Sequence, residues 1–151
     1  MAQDKYDALK LDNQLCFPLY ACAREVTKQY KPFLDEIGLT YTQYITMMVL
    51  WEHGQITSKA LGDRLYLDSG TLTPLLKKLE EKGLVTRSRC PEDERNLMVA
   101  LTDAGRALRE PAADIPGKMA GCIPLDPADA MTLYRILRKM LGRDEALGNR
   151  Q

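Results

Sequence analysis

Residues 67–102 read LDSGTLTPLLKKLEEKGLVTRSRCPEDERNLMVALT. Asp68 can cap a helix, because its carboxylate can accept hydrogen bonds from the unpaired amides of the following turn. Leucines then recur at steps of three and four residues, which predicts a helix with one buried stripe formed by Leu72, Leu75, Leu76 and Leu79. Gly83 stands where a left-handed residue commonly ends a helix. The first half of the stretch therefore predicts a helix between Asp68 and Gly83.

The second half of the stretch predicts a β-hairpin. Residues 84–89 and 96–101 are strand-like and frame the polar loop CPEDER. The hairpin carries three arginines, Arg87, Arg89 and Arg95. A helix followed by a charged hairpin is the pattern of a winged helix. The sequence therefore predicts a mostly α fold with a small β-hairpin wing.

This combination of helix and hairpin favours DNA binding. The first residues of the helix are small enough to approach base edges in the major groove, and the arginines of the hairpin can reach an adjacent groove. The residues predicted to line the major-groove face are Ser69, Gly70, Thr71, Thr73, Pro74 and Lys77. The residues predicted to act from the wing are Arg87, Arg89 and Arg95, with Asp93 orienting Arg95 through an ion pair. The alternative reading of the lysines as a solvated helix face is weaker, because helix, glycine cap and basic hairpin occur together in this order.

Net charge contributes little to this prediction. Residues 59–109 contain ten Lys or Arg and eight Asp or Glu, a net charge of only plus two. A non-specific hold on phosphates should therefore be modest, and the placement of individual cations should matter more than their number.

The chain has the size and composition of one globular unit. It has 151 residues, of which 45% are hydrophobic, enough to bury a core without staples. It lacks the run of roughly 18 apolar residues that a membrane helix needs, and it lacks a signal-peptide pattern, so we expect a cytoplasmic protein that does not bind membranes. The cysteines Cys16, Cys22, Cys90 and Cys122 have no metal-ligand spacing. We therefore expect no metal, no cofactor and reduced thiols.

Residues 57–65 predict the first helix of a helix-turn-helix. Thr57 can open a helix over Ser58 to Leu65, and this helix would pack on the helix after Asp68 through apolar contacts of Leu61, Leu65 and Leu72. Gly70 in the connecting region either allows close approach to DNA or serves tight packing between the helices.

A further helix is predicted before this pair. Thr40 or Thr42 can cap it, and it should end near His53. Its core positions are predicted to be Ile45, Met48, Val49 and Trp51. A short strand is predicted next, near residues 55–57.

The first ten residues are polar, and residues 11–39, LDNQLCFPLYACAREVTKQYKPFLDEIGL, then predict a long helix with one irregularity. Pro18 lacks an amide hydrogen and its ring would collide with the carbonyl of Gln14. Either the helix begins near Phe17, or a longer helix bends there.

Cys16 is the candidate for chemistry in this helix. The thiolate is the reactive form of cysteine, and a nearby helix N-terminus stabilises it. The alternative is that Cys16 is only a small packing residue. Tyr20 lies one turn further on, and Tyr30 lies within about 40° of the Cys16 direction at 100° per residue, so their hydroxyls could hold the thiolate.

The C-terminal part predicts broken helix and then one long helix. Thr102 can cap a helix, but prolines interrupt the pattern between about residues 110 and 123. Asp126 followed by Pro127 starts the last helix cleanly. Its broad apolar face consists of Met131, Leu133, Tyr134, Leu137, Met140 and Leu141. Such a face requires a partner.

The segment LDSGTLTPLLKKLEEKGLVTR, followed by DER and by LT-x-x-G at residues 101–105, resembles the MarR family of winged-helix regulators. Within that family, DSGTLTPLLK and LCFPLYA are similar to motifs of the thiol-based sensors of organic hydroperoxides, and the likeness extends from about residue 11 to about residue 141. The resemblance implies a homodimer on pseudo-palindromic operator DNA. Residues 11–40 and 103–145 would form the dimerisation region, and residues 41–102 the winged-helix DNA-binding region.

The same resemblance assigns roles in sensing. Cys16 matches the cysteine that reacts with peroxide, and Tyr20, Tyr30 and Tyr41 match the tyrosines of the sensor pocket, the last two reaching in from the partner subunit. Cys122 stands in the neighbourhood of the resolving cysteine, again of the other subunit. The implied function is a repressor, not an enzyme, that releases DNA when an organic hydroperoxide oxidises Cys16 to a sulfenic acid that another thiol can trap.

Two other functions remain open at this stage. The regulator could respond to a small apolar or phenolic ligand with Cys16 inert, or the chain could be a thiol peroxidase that uses Cys16 and Cys122. The sequence shows no general acid–base pair beside Cys16, which speaks against the enzyme. Cys22 cannot form a disulfide with Cys16 of its own helix, because a rise of about 9 Å and a turn of about 240° separate them. Cys90 lies on the wing. A small thiol could take the place of Cys122.

Overall fold

A computed structural model of the protein describes residues 4–142. Two 3₁₀ turns, Asp7–Leu9 and Leu11–Asn13, come first. The helices that follow are α1 (Cys16–Asp35), α2 (Tyr41–His53), α3 (Ser58–Leu65), α4 (Ser69–Glu81), α5 (Asp103–Ala107), α6 (Arg109–Ala112), α7 (Ile115–Ala120) and α8 (Pro127–Met140). The strands are β1 (Gln55–Thr57), β2 (Val85–Cys90) and β3 (Asp93–Leu101). This composition confirms the mostly α fold with a small sheet. None of the helices within these residues combines the length and apolar character needed to cross a membrane.

Helix α4 confirms the prediction for the opening stretch. The Asp68 carboxylate accepts a hydrogen bond of 2.7 Å from the Thr71 amide, and the four leucines of the predicted stripe are all buried. At the other end Gly83 adopts φ = +73°, its amide donates to Glu80, and the Leu84 amide donates to the Leu79 carbonyl. This pair of bonds is a Schellman motif, which only a residue tolerant of positive φ completes without strain.

Helix α3 has the predicted bounds, and Thr57 caps it by accepting a hydrogen bond from the Ala60 amide. Leu61 is fully buried against α4 in the core. Close packing in this helix-turn-helix occurs at Gly62, where an added Cβ would lie 2.8 Å from the Leu67 carbonyl oxygen. At Gly70 an added Cβ would meet only the capping carboxylate, at 3.3 Å. The tight-packing role that the sequence left open for Gly70 therefore belongs to Gly62.

The wing is part of an antiparallel sheet with strand order β1-β3-β2. The predicted short strand at residues 55–57 is confirmed as β1, which pairs with residues 98–100 of β3. Strand β3 begins at Asp93, earlier than predicted, because Cys90 pairs with Asp93 across a tight turn after a register shift. A bulge of this kind increases strand twist and aims the tip of a hairpin.

Helix α2 differs from its prediction on one face. Thr40 caps it through a reciprocal capping box with Gln43, and Val49 is buried as expected, with Ile45 and Trp51 half-buried. Met48 was predicted to be a core residue, and this is wrong, because 43% of its surface is exposed. Tyr44, Met47 and Leu50 fill the core instead. The apolar residues of α2 surround the helix on most sides, so periodicity does not define a single buried face.

Helix α1 begins at Cys16, which answers the question raised by Pro18. Pro18 is the third residue of the first turn, where its missing amide hydrogen has no intrahelical partner to lose. The first of the two alternatives is therefore correct, because the helix starts within one residue of Phe17. Leu15, Phe17, Leu19 and Tyr20 are exposed at this end, whereas Leu34 at the other end is buried.

By its contacts the described part of the chain divides into two compact units, with the boundary between residues 119 and 120. Thr102 caps α5, as predicted. The helix is interrupted at residue 108 and at residues 113–114, and the second interruption lies in the range where the prolines predicted broken helix. In the second unit Asp126 caps α8 by accepting from the Asp129 amide, with Pro127 at the first position as predicted. Within the described part of the chain, helix α8 has no buried residue. The predicted division into dimerisation and DNA-binding regions stays a prediction, and its residues 143–145 lie outside the described range.

Candidate nucleic-acid interface and thiol sensor

The exposed face of α4 carries the side chains predicted to meet the major groove. Burial of the leucine stripe turns the opposite face outward, and all six predicted residues on it are exposed: Ser69, Gly70, Thr71, Thr73, Pro74 and Lys77. The hydrogen bond from the Thr71 amide to the capping carboxylate fixes the N-terminal end of this face, and it lowers the pKa of Asp68 below its usual value. The cap therefore stays ionised at neutral pH and holds the first turn in place.

A groove of about 440 Å³ runs between α3, α4 and the wing. Its walls include Lys59 on α3, Ser69 and Thr73 on α4, and Arg95 and Asn96 on β3. The exposed end of α4 and the exposed Arg95 thus border one concave surface. A winged helix uses these two elements on neighbouring parts of a duplex.

Arg87 lines the same groove as Arg95, but its side chain also pairs with α4. Its guanidinium lies 3.1 Å from Glu80 of α4, its main-chain amide also donates to that carboxylate, and its side chain is 21% exposed. The hydrogen bond from Arg87 lowers the pKa of Glu80 below its usual value, so the pair is ionised at neutral pH. In this structure Arg87 joins the base of the wing to α4, whereas Arg89 and Arg95 are exposed. The contact of all three arginines with DNA stays a prediction.

Asp93 contacts Arg95 in another way than predicted. Its carboxylate accepts a hydrogen bond of 3.0 Å from the Arg95 main-chain amide. The ion pairs found among residues 4–142 do not include one between these two side chains. Asp93 therefore shapes the turn at the wing tip, and the guanidinium of Arg95 keeps its hydrogen-bonding capacity for another group.

Lys77→Ala should lower the affinity for all DNA sequences alike and reduce the salt slope of binding by about one, if Lys77 contacts a phosphate. Arg95→Ala should weaken binding too, and a base-reading contact would cost about 1–3 kcal/mol at particular positions. Anisotropy titrations at several salt concentrations measure both effects. Lys28→Ala on α1, where Lys28 pairs with Glu25, is the matched control. If both Lys77→Ala and Arg95→Ala bind DNA with unchanged affinity at fixed salt, the predicted winged-helix interface with DNA is wrong.

An aromatic cluster joins α1 to α2. The ring centroids of Tyr30 and Tyr41 are 4.9 Å apart, Tyr44 lies 5.8 Å from Tyr30, and Trp51 lies 6.5 Å from Tyr44. Burial raises the pKa of all three tyrosine hydroxyls above the ordinary value, with a further rise at Tyr30 from Tyr41 and at Tyr44 from both neighbours. The hydroxyls are therefore protonated at neutral pH and can donate hydrogen bonds.

Cys16 is exposed at the opposite end of α1 from this cluster. Cys16 and Tyr30 belong to one continuous helix and are 14 residues apart, which corresponds to about 21 Å along its axis. Tyr30 and Tyr41 therefore do not reach Cys16 of their own chain. Tyr20 does lie one turn from Cys16, but it is 58% exposed and its ring contacts the Arg24 guanidinium rather than the cluster.

Sequence reasoning missed two members of the cluster. Tyr44 was not predicted as a site residue and Trp51 was predicted only as core, yet Tyr44 is 97% buried beside both predicted sensor tyrosines. The spacing Tyr41, Tyr44 and Trp51 at three and seven residues places them on one face of α2, and this signal could have identified them.

The other cysteines separate by location. Cys22 is exposed on α1, Cys90 is half-buried at the end of β2, and Cys122 is exposed in the segment before α8. All four cysteines lie within residues 4–142, and they form no disulfide there. Cys122 belongs to the second compact unit and Cys16 to the first.

Comparison with known proteins identifies the class. The family model for the transcriptional regulators SarA and Rot matches residues 28–110, more than half of the chain. Together with the winged helix and its wing, this shows that the chain belongs to the SarA/Rot and MarR-type family of winged-helix transcriptional regulators.

Individual relatives narrow this further. The chain is 50% identical over 139 residues to the organic hydroperoxide resistance transcriptional regulator of Bacillus subtilis, covering 92% of this chain and 95% of that protein. The structure of reduced AbfR bound to DNA matches with a TM-score of 0.75 at 36% identity, covering 91% of this chain and 96% of that one. Disulfide-formed AbfR matches with a TM-score of 0.62 at 35% identity over the same shares. The chain is thus a homologue of an organic hydroperoxide resistance regulator.

Proposed function

We propose that the chain is a homodimeric, cytoplasmic repressor that binds pseudo-palindromic operator DNA and releases it when an organic hydroperoxide oxidises Cys16. The observation that carries the proposal is the separation of the two halves of the sensor. Cys16 is exposed at one end of α1, and the donor tyrosines cluster at the other end, about 21 Å away. A complete pocket then requires Cys16 of one subunit and the tyrosines of another.

Surface composition supports assembly into a dimer. The N-terminal end of α1 exposes Leu15, Phe17 and Leu19, and α8 exposes Met131, Leu133, Tyr134, Ile136 and Met140. Large exposed apolar surfaces on a monomer usually mark an interface. A two-fold dimer also presents two copies of α4 to half-sites about 34 Å apart, which is the arrangement that a palindromic operator requires.

The proposed chemistry has two balanced steps. The Cys16 thiolate attacks the distal oxygen of the hydroperoxide and the O–O bond breaks. Cys16 becomes a sulfenic acid, and the leaving alkoxide takes a proton from solvent to become an alcohol. The thiol of Cys122 of the partner subunit then attacks that sulfur, forming a disulfide and releasing water. Cys16 supplies the two electrons that reduce the peroxide. After the disulfide forms, each of the two cysteines has lost one electron. Each Cys16 reacts with one peroxide molecule and then stays oxidised until a reductant restores it. A peroxidase would instead turn over repeatedly.

Names of relatives agree with this proposal at the level of class. The Bacillus subtilis relative is named for organic hydroperoxide resistance, and AbfR is known in reduced DNA-bound and disulfide forms. The test is a gel shift on DNA from the region upstream of the chain's own gene, with and without cumene hydroperoxide. The reduced protein should bind and the treated protein should release, and dithiothreitol should restore binding. Sustained turnover of peroxide by the protein and a dithiol would instead support an enzyme.

Removing a sensor hydroxyl should slow the chemistry of Cys16. A hydrogen bond to a charged group contributes about 1.5 kcal/mol or more, so Tyr30→Phe and Tyr41→Phe should each lower the rate of Cys16 alkylation at neutral pH by about tenfold. The rates are measured against pH with iodoacetamide in the dimeric protein, in a background where the other three cysteines are serine.

Tyr66→Phe in the helix-turn-helix is the control, because it removes a hydroxyl outside the cluster. Rate profiles of Tyr30→Phe and Tyr41→Phe that superpose on the parent profile would exclude both tyrosines from the mechanism and leave Cys16 as the sensor.

A further inference from the structure

The C-terminal end of α4 is hydrogen-bonded to the α1–α2 turn and to α2 through one side chain. Lys82 follows α4 as its capping residue. Its ammonium group donates to the Gly38 carbonyl at 2.6 Å and to the Gln43 side-chain oxygen at 2.8 Å. These acceptors are 44 and 39 residues away in sequence, so the contact is purely tertiary.

The Gln43 acceptor is itself a structural part of α2. Gln43 is only 3% exposed, and its side-chain oxygen also accepts a hydrogen bond of 3.1 Å from the Thr40 amide. The Gln43 amide in turn donates to the Thr40 hydroxyl. One oxygen therefore serves both the capping box of α2 and the ammonium of Lys82. A displacement of the first turn of α2 must change the position of this acceptor.

That first turn also carries a sensor residue. Tyr41 is the first residue of α2, between Thr40 and Gln43, and its ring is 4.9 Å from Tyr30. The tyrosine cluster is therefore connected to α4 through the first turn of α2 and the side chain of Lys82. Both helices also contribute buried apolar side chains to the common core, and such contacts lack the directional preference of a hydrogen bond.

We infer that Lys82 is a positioning residue that couples the state of the tyrosine cluster to the orientation of α4, and so makes DNA release depend on oxidation. The inference rests on the proposed function, because it requires that oxidation of Cys16 displaces the tyrosine cluster. Coupling between two sites is measured by the ratio of the two affinities, here the Kd for DNA of the oxidised protein divided by that of the reduced protein. A residue that only supports α4 would change both affinities alike and leave this ratio unaltered.

The test is Lys82→Met, which removes the ammonium but keeps a long apolar side chain. Operator affinity is measured by anisotropy for the full-length dimer, reduced with dithiothreitol or oxidised with cumene hydroperoxide, at fixed salt. We expect the wild-type ratio to be about tenfold or more. In Lys82→Met the ratio should fall to about twofold or less, while the reduced affinity stays within about threefold of wild type. Lys82→Arg, which keeps a cationic donor, should retain most of the ratio.

Two further variants serve as a control and as a replacement for Lys82→Met. Lys78→Met removes the same charge one turn earlier on α4 and should leave the ratio unchanged, and Lys82→Gln replaces Lys82→Met if the latter unfolds at lower temperature than wild type. A wild-type ratio in Lys82→Met, an equal loss of affinity in both redox states, or an equal fall of the ratio in Lys78→Met would each overturn the inference. In those cases wild-type release still stands, so the proposed function survives. A wild-type protein that keeps its DNA after oxidation of Cys16 would overturn both.

Discussion

Cys16→Ser is expected to bind operator DNA with the affinity of the reduced wild type and to stay bound after treatment with organic hydroperoxide. Serine is close to cysteine in size, so packing at the exposed start of α1 should persist, but its hydroxyl does not react with a peroxide. In the wild type, oxidation is expected to weaken DNA binding by about tenfold or more. This weakening should be absent from Cys16→Ser. Gel shifts at one salt concentration, with and without cumene hydroperoxide, measure the difference.

Cys122→Ser separates the two ways of completing the reaction. If Cys122 of the partner subunit resolves the sulfenic acid, oxidised wild type carries two intersubunit disulfides and runs as a dimer on a non-reducing gel, and this band should vanish in Cys122→Ser. A disulfide requires α-carbons within about 7 Å, so closure from a longer distance would have to move helices. Such a movement would change the separation of the two copies of α4 and break half-site contacts.

Serine variants of Cys22 and Cys90 are the matched controls for this experiment, since neither thiol belongs to the proposed pair. Both should release DNA and form the dimer band as the wild type does. A wild-type protein that releases DNA yet runs only as a monomer would exclude the intersubunit bridge, and a sulfenic acid or a mixed disulfide with a small thiol would then be the signal. A Cys16→Ser protein that still responds to every inducer would instead favour a regulator controlled by a small apolar or phenolic ligand.

Gly105→Ala is expected to destabilise the fold by about 3 kcal/mol or more. A Cβ at this position would lie 2.0 Å from the Leu84 carbonyl oxygen and 3.0 Å from its carbon, and the obstacle is main chain rather than a flexible side chain. The Gly105 carbonyl also accepts a hydrogen bond of 2.9 Å from the indole of Trp51. To admit the methyl group, α5 must move away from the segment that joins α4 to the wing.

Thermal unfolding measures this effect, with an expected fall in Tm of about 10 °C. Gly117→Ala is the control, because Gly117 lies in helix α7 with no atom within 4 Å of an added Cβ. Alanine is favoured over glycine inside a helix by about 0.5–1 kcal/mol, so this variant should be as stable as wild type or slightly more. Equal Tm values for Gly105→Ala and wild type would show that α5 yields easily and would contradict the close packing.

The local elements of the DNA-binding region could be predicted because their signals are local. Asp68, Thr57 and Thr102 cap their helices, and Gly83 ends α4, as their residue types indicated. A cap depends on a side chain and an amide three residues apart, and a leucine stripe depends on helical spacing. Neither requires knowledge of the rest of the chain. Where an element was apolar on most sides, as in α2, this local information was insufficient, and Met48 was placed inside although it is exposed.

The roles of charged residues required the tertiary structure. Sequence grouped Arg87 with Arg89 and Arg95 because the three share a hairpin, but Arg87 pairs with Glu80 of α4. Lys82 had no predicted role, since its two acceptors come from the turn after α1 and from α2. A long side chain can reach any acceptor within several ångströms of its backbone, so its partner is decided by which elements pack together rather than by its neighbours in sequence.

The sequence by itself determined the winged helix, the caps that bound its helices, and the candidate thiol at the start of α1. Only the tertiary structure decided that Tyr44 and Trp51 complete the aromatic cluster, that Gly62 and Gly105 are positions of close approach, and that Arg87 pairs with Glu80 of α4. The physical reason is the range of the interactions. Capping bonds and helical stripes act over three or four residues, whereas ring contacts, main-chain approaches and ion pairs depend on segments that meet only when the chain has folded.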